Sequence, residues 1–212
     1  MRHWNPDVLL TRRGLITVAA GLLVAESGSA ARLRTPPQTA GPFYPRSTPV
    51  DSDADLTRID GRGTQASGQI ISVSGRVFSV KGPPLAGAVV EIWQADANGR
   101  YNHPRDAAGG PRDRDFQGYG AVRTSAGGDF LFRTIRPRHY RAGTVVRAPH
   151  IHFRVVSAGG RELVTQMYFP GEPMNAGDPL FRGLADDAAR GAATAKAGSA
   201  AAPAYQYDIV LA

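Results

Sequence analysis

His150-Ile151-His152 lies in a stretch that alternates like a β-strand, ten residues after the tyrosine that ends Arg136-Pro-Arg-His-Tyr140. A second tyrosine closes the run Val90-Glu-Ile-Trp-Gln-Ala-Asp-Ala-Asn-Gly-Arg-Tyr101. Histidines at i and i+2 of a strand share one face, and Ile151, Phe153 and Val155 then share the opposite one. An H-x-H pair alone is weak evidence, since surfaces and cores both contain such pairs. Two imidazoles together with two phenols, Tyr101, Tyr140, His150 and His152, are a donor set suited to a hard, trivalent iron.

The charge balance supports that choice. Two tyrosinates and one hydroxide neutralise Fe(III), and two neutral imidazoles complete five donors. A phenol titrates near pH 10 in water, but a coordinated cation holds its oxygen deprotonated. Zinc on three histidines, or iron on two histidines and a carboxylate, is the commoner pattern. Neither assembles easily here: His3 falls in the amino-terminal leader, and His103 and His139 have no partner at ligand spacing. Copper is compatible with the two histidines, while the tyrosines favour Fe(III). With no cysteine in the chain, thiolate zinc and iron–sulfur sites are excluded.

Short strands must position these residues. From Gln69 onward, apolar alternations broken by Gly and Pro predict strands at 70–77, 88–95, 120–123, 129–134, 149–156, 163–168 and 205–211. That rhythm indicates an all-β fold, an antiparallel β-sandwich, rather than βαβ units. Gly127-Gly128 and Gly159-Gly160 read as hairpin turns. Two long connections, 98–119 and 136–148, read as active-site loops, each carrying a candidate tyrosine. Residues 184–202 are Ala-rich and helical at most in part. In this reading, residues 32–69 form a turn-rich arm laid over a single domain at 70–212.

The first 31 residues stand apart. Arg12-Arg13 precedes an apolar run from Leu15 to Ala25 and small residues up to Ala31. This is the pattern of an export signal of the twin-arginine type, with cleavage near Ala30 or Ala31. The apolar run is too short to span a bilayer. The expectation is a periplasmic or extracellular protein, carried folded by the twin-arginine machinery. The net charge of +7 is almost all arginine, which suits anionic aromatic acids. With no basic helix, RNP-like strand or finger spacing, nucleic acid is not an expected partner. A homo-oligomer is compatible with the sequence.

Four ordered motifs carry a resemblance: Gly87-Ala-Val-Val-Glu-Ile-Trp-Gln-Ala-Asp-Ala-Asn-Gly-Arg-Tyr101, Asp129-Phe-Leu-Phe-Arg-Thr-Ile-Arg-Pro137, Arg147-Ala-Pro-His-Ile-His-Phe153 and Thr165-Gln-Met-Tyr-Phe169. With Gly41-Pro-Phe-Tyr-Pro45 in the arm, the chain over residues 36–182 resembles the intradiol ring-cleavage dioxygenases, most of all the protocatechuate 3,4-dioxygenase chains. The resemblance implies one non-haem Fe(III) per chain, held by Tyr101, Tyr140, His150 and His152. Tyr140 and His152 would be axial, and Tyr101 and His150 equatorial. Arg147 and Gln166 would line the substrate side. A catechol would chelate the iron, displace Tyr140, react with O2 and open between its hydroxylated carbons to a cis,cis-muconate-type product. Tyr140 would take up a proton, and Arg147 would stabilise charge on the ring.

The chain departs from that family where Pro137-Arg-His-Tyr-Arg141 and Val146-Arg147-Ala148 replace its usual Pro-Gly-x-Tyr-Pro and Trp-Arg-Pro. These changes reshape the pocket wall and leave the choice among protocatechuate, catechol and hydroxylated catechols open. Tyr44 and Tyr168 read as packing or pocket residues, Trp93 as core, Glu91 as a buried acceptor, and Arg133 and Arg136 as sheet-edge charges. The competing reading is an exported transthyretin-like or carbohydrate-binding sandwich without catalysis.

Overall fold

The computed structural model describes residues 32–47, 49, 51–107, 109–198 and 203–212. The twin-arginine segment lies outside the described residues. Two sheets face each other. One is antiparallel, in the order β3 (Tyr119–Arg123), β2 (Val89–Trp93), β7 (His150–Val156) and β8 (Glu162–Tyr168). The other is built on β1 (Ile70–Ser79), which pairs antiparallel with β4 (Asp129–Ile135). On its other side β1 takes β10 (Ala204–Gln206) and then β11 (Ile209–Leu211), both parallel, and β9 (Lys196–Ala197) edges β10.

The all-β sandwich is therefore observed, with one sheet mixed rather than purely antiparallel. The strand expected over 205–211 is two strands, because β1 changes partner in its middle. Gly75 marks the change: a Cβ there would stand 2.0 Å from the Tyr207 carbonyl oxygen, so only glycine lets that backbone approach. Gly159-Gly160 does turn the β7–β8 hairpin. Gly127-Gly128 also turns the chain, but β3 and β4 belong to different sheets, so it is a crossover and not a hairpin.

The core lies between the sheets. Ile71, Val73, Phe130 and Phe132 meet Val90, Ile92, Ile151, Phe153, Val155 and Met167, all buried. Full burial of such side chains stabilises by about 1.5–3 kcal/mol each. That payload fixes the register of β7, because a slip of one residue would turn its apolar set outward. The reverse face of β7 then presents His150, His152 and Arg154. Both histidines are nonetheless buried, because other segments cover this outer face.

Three segments provide the cover. The arm runs across β8, with Gln38 N–H donating to the Val164 carbonyl at 2.8 Å and Thr165 Oγ1 donating to the Pro36 carbonyl at 2.8 Å. Within the expected loop 136–148, β5 (Tyr140–Ala142) and β6 (Val145–Arg147) form a small hairpin of their own. A 3-10 turn (Pro173–Gly177) leads into the short helix α1 (Pro179–Arg182). In the Ala-rich stretch, α2 (Asp187–Ala192) starts where the Asp186 side chain accepts the Ala189 N–H.

Candidate metal centre

Tyr101 is held by two carboxylates. Asp96 Oδ1 accepts the N–H groups of Asn98 and Arg100 at 2.8 and 2.9 Å, curling the chain directly after β2. Asp106 Oδ2 then accepts the Tyr101 N–H at 2.7 Å and Arg100 Nε at 3.0 Å. Gly99 sits in this turn at φ +79°, and a Cβ on it would stand 2.6 Å from the His139 carbonyl oxygen. The missing side chain allows the Tyr101 turn to lie directly on the segment that carries Tyr140. The two phenol rings meet edge to face, with centroids 5.1 Å apart.

The histidines come from register. Across β2, β7 and β8, His152 pairs with Trp93 on one side and Gln166 on the other, while His150 pairs with Tyr168. His150 Nδ1 lies 2.6 Å from the Ala148 carbonyl, so Nδ1 carries the proton and the Nε2 lone pair is left free. That Nε2 faces His152 Nε2 at 3.2 Å. The rings of Tyr140 and His150 are 5.6 Å apart, and those of Tyr101 and His152 are 6.2 Å apart. All four side chains predicted from the sequence therefore converge. His103 and His139, set aside there, stay outside this group of four.

The cluster fits a cation. Tyr101 Oη is buried without a hydrogen-bond partner, an arrangement costly in an empty protein interior, and the two histidine Nε2 atoms face each other beside it. Burial pushes the Tyr101 phenol well above its ordinary range, and the neighbouring Tyr140 adds to this. Burial also raises Tyr140, against the opposing pull of Arg147. Both imidazoles are pushed down, first by burial; Arg147 contributes to both, and His150 to His152. They are thus neutral donors, the form that binds metal. Among the described residues no group of three His, Cys, Asp or Glu could hold an ion, so any metal here depends on the phenols.

Arg147 stands beside the cluster in a connected polar network. Its Nε donates to Asp178 Oδ2 at 2.9 Å, and its Nη2 donates to Gln166 Oε1 at 2.6 Å. Burial works against its charge, and Asp178 together with Tyr140 and Tyr168 more than offsets that, so its pKa is raised. Gln166 Nε2 donates to the Thr39 carbonyl at 3.0 Å, and Tyr168 Oη donates to Gln38 Oε1 at 3.1 Å. Asp178 also accepts the N–H groups of Leu180 and Phe181, capping α1.

Sequence reasoning missed Asp178, Gln38 and Phe43. Phe43 stacks on Tyr101 with centroids 4.5 Å apart. Trp93 is core as expected, buried in a second cluster with Tyr101, Tyr119 and Tyr140, and it lies on the outer face of β2 with its ring parallel to His152 at 4.8 Å. Its parity with Glu91 was the available signal. Glu91 is the acceptor expected, taking Tyr44 Oη at 2.7 Å and Arg154 Nη1 at 2.9 Å.

Comparison with known proteins agrees with this geometry. Residues 39–212 match a family model described as Dioxygenase. The protocatechuate 3,4-dioxygenase beta chain of Burkholderia cepacia is 41% identical over 170 residues, covering 75% of this chain and 71% of the relative. Catechol 1,2-dioxygenase 1 of Acinetobacter lwoffii is 34% identical over 156 residues, covering 66% of this chain and 48% of the relative. The chain thus spans about half the length of that second protein. The dioxygenase domain of a dioxygenase carbohydrate-binding protein fusion from Streptomyces sp. SirexAA-E superposes with a TM-score of 0.61 at 31% identity, over 84% of this chain and 97% of that one. The match over most of the sequence, together with the fold, places this chain in the intradiol dioxygenase family.

Proposed function

We propose that this chain is a non-haem Fe(III) intradiol dioxygenase, with Tyr101, Tyr140, His150 and His152 as the iron ligands. Its substrate is protocatechuate or a related catechol, and its product is of the cis,cis-muconate type. The observation that carries the reading is the convergence of two buried phenols and two neutral imidazoles, with the unpartnered Tyr101 Oη among them. Bound iron supplies a Lewis acid and electron acceptor that orient the catechol and ready its ring for O2.

The chain's own groups do the rest. Tyr140 Oη, whose pKa burial raises, would be the acceptor for a proton from the incoming diol. Arg147 keeps a fixed positive charge beside the cluster, aimed by Asp178 and Gln166. Such a preorganised charge stabilises negative charge developing on the ring. The Trp93 ring on one side and the arm on the other keep bulk water from the imidazoles.

Oxygen uptake across protocatechuate, catechol, hydroxyquinol and 4-substituted catechols tests the reading. Cleavage between the hydroxylated carbons is expected with at least one of them. A yellow semialdehyde, from cleavage beside the diol, contradicts it. The leader supports a site of action outside the cytoplasm. Replacing Arg12-Arg13 by Lys-Lys is expected to trap uncleaved protein in the cytoplasm, and export at the normal rate would exclude the twin-arginine route.

A further inference from the structure

A cleft of about 990 Å3 lies against Tyr140. Of the four candidate ligands, Tyr140 alone lines it, so the cleft meets the cluster at Tyr140. Pockets for whole drug-sized ligands run to about 300–1,000 Å3, so the cleft has room for far more than one aromatic ring. Its lining is of two kinds. Pro42, Phe43, Ala142 and Val146 give it an apolar floor, and Arg105, Arg138 and Arg141 bring exposed guanidinium groups. The carboxylate that also lines it, Asp106, is engaged by Arg100 and the Tyr101 N–H. Arg138 and Arg141 flank Tyr140 in sequence and line the cleft with it.

We infer that the cleft is a subsite for an extended anionic substituent: the chain selects catechols whose ring carries an unsaturated or aryl arm ending in a carboxylate. The inference rests on the dioxygenase reading and adds the substrate class to it. The apolar floor takes the arm, and Arg138 and Arg141 take the carboxylate, for which a guanidinium fork is the matched partner. A carboxylate attached directly to the ring stays closer to Tyr140 and leaves most of the cleft unfilled.

The test uses iron-loaded protein with 3,4-dihydroxycinnamate, its methyl ester, protocatechuate and catechol, followed by oxygen uptake at low ionic strength. The acid is expected to exceed its ester in kcat/KM by about 10-fold, the size of one charge-assisted hydrogen bond. In an Arg138→Ala/Arg141→Ala double variant the acid-to-ester ratio is expected to fall to about one, and in the parent protein 0.5 M salt is expected to shrink it. Acid binding is also read without turnover, by anaerobic titration of the visible band, where the double variant is expected to bind the acid about 10-fold more weakly. Equal use of acid and ester by the parent protein, or a ratio that survives both substitutions, overturns the subsite while leaving the dioxygenase reading intact. If neither these four diols nor hydroxyquinol is cleaved, the reading beneath the proposal falls, and the proposal with it.

Discussion

Arg147 and Asp178 form a buried ion pair, Nε to Oδ2 at 2.9 Å, and the same Asp178 oxygen accepts the Ala148 N–H at 2.8 Å. One carboxylate thus fixes both the cationic side chain and the backbone two residues before His150. Asp178→Ala leaves an unpaired buried charge, and such losses cost about 3–5 kcal/mol; a clear fall in melting temperature is expected. Asp178→Asn keeps the shape and removes the charge. It is expected to retain iron while kcat falls by about 10-fold or more, since the guanidinium loses its aim. Unchanged kcat in a folded Asp178→Asn protein would show that Asp178 does not position Arg147 for turnover.

Gly99 is the second such pivot. Alanine there meets both a left-handed backbone at φ +79° and the His139 carbonyl at 2.6 Å. The strain is worth about 1–3 kcal/mol, and relief requires the Tyr101 turn to move off the Tyr140 segment. Gly99→Ala is expected to lower thermal stability and also to weaken the tyrosinate-to-iron visible band per iron bound. A variant with lowered stability and an unaltered band would mean that this contact does not set the spacing of the two phenols.

Tyr44 ties the arm to the sheet. Its hydroxyl meets Glu91 Oε2 at 2.7 Å, and burial, followed by that bond, pushes its pKa up to about 12. Tyr44→Phe removes a hydrogen bond to a charged group, worth about 1.5–3 kcal/mol. Faster amide exchange is expected over residues 36–44, with little change in β1 and β4. Exchange that rises equally throughout the chain would indicate global destabilisation instead.

The imidazoles set a pH dependence for the metal-free chain. Burial lowers the folded pKa of both His150 and His152 below 6.5. The unfolded chain therefore binds protons that the folded one refuses, so stability is present above pH 6.5 and is lost as pH falls below it. The slope is up to about 1.4 kcal/mol per pH unit for each imidazole. Between pH 6.5 and 5, above the carboxylate range, melting temperature of chelator-treated protein is expected to drop, and a His150→Gln/His152→Gln variant is expected to flatten the drop. An equal drop in the variant would assign it to other groups.

Much of the site was legible because strand periodicity is a local rule. His150, Ile151 and His152 had to alternate, and Phe153 and Val155 fixed which face was core. The pairing that sets Gln166 beside His152 followed from a turn at Gly159-Gly160 that the sequence marks openly. What escaped depends on contacts between distant segments. Asp178 reaches Arg147 across 31 residues, and Gln38 reaches Tyr168 across 130; neither leaves a periodic trace. The β5–β6 hairpin has three-residue strands, mostly exposed and paired only with each other, too short for alternation to show. Trp93 is buried as a large aromatic suggests, but among Tyr44 and His152 rather than between the sheets. The outer face of its sheet is itself roofed by the arm.

The central claim is that Tyr101, Tyr140, His150 and His152 hold ferric iron. The most direct measurement is metal content and visible absorption of the purified protein, alongside Tyr101→Phe, Tyr140→Phe, His150→Ala and His152→Ala. About one high-spin Fe(III) per chain is expected, with a broad tyrosinate charge-transfer band. The band should shift on adding a catechol and change in each tyrosine variant, while each histidine variant should lose most of the iron and remain folded. A colourless protein carrying stoichiometric zinc, or histidine variants that keep iron and turnover, would contradict the account.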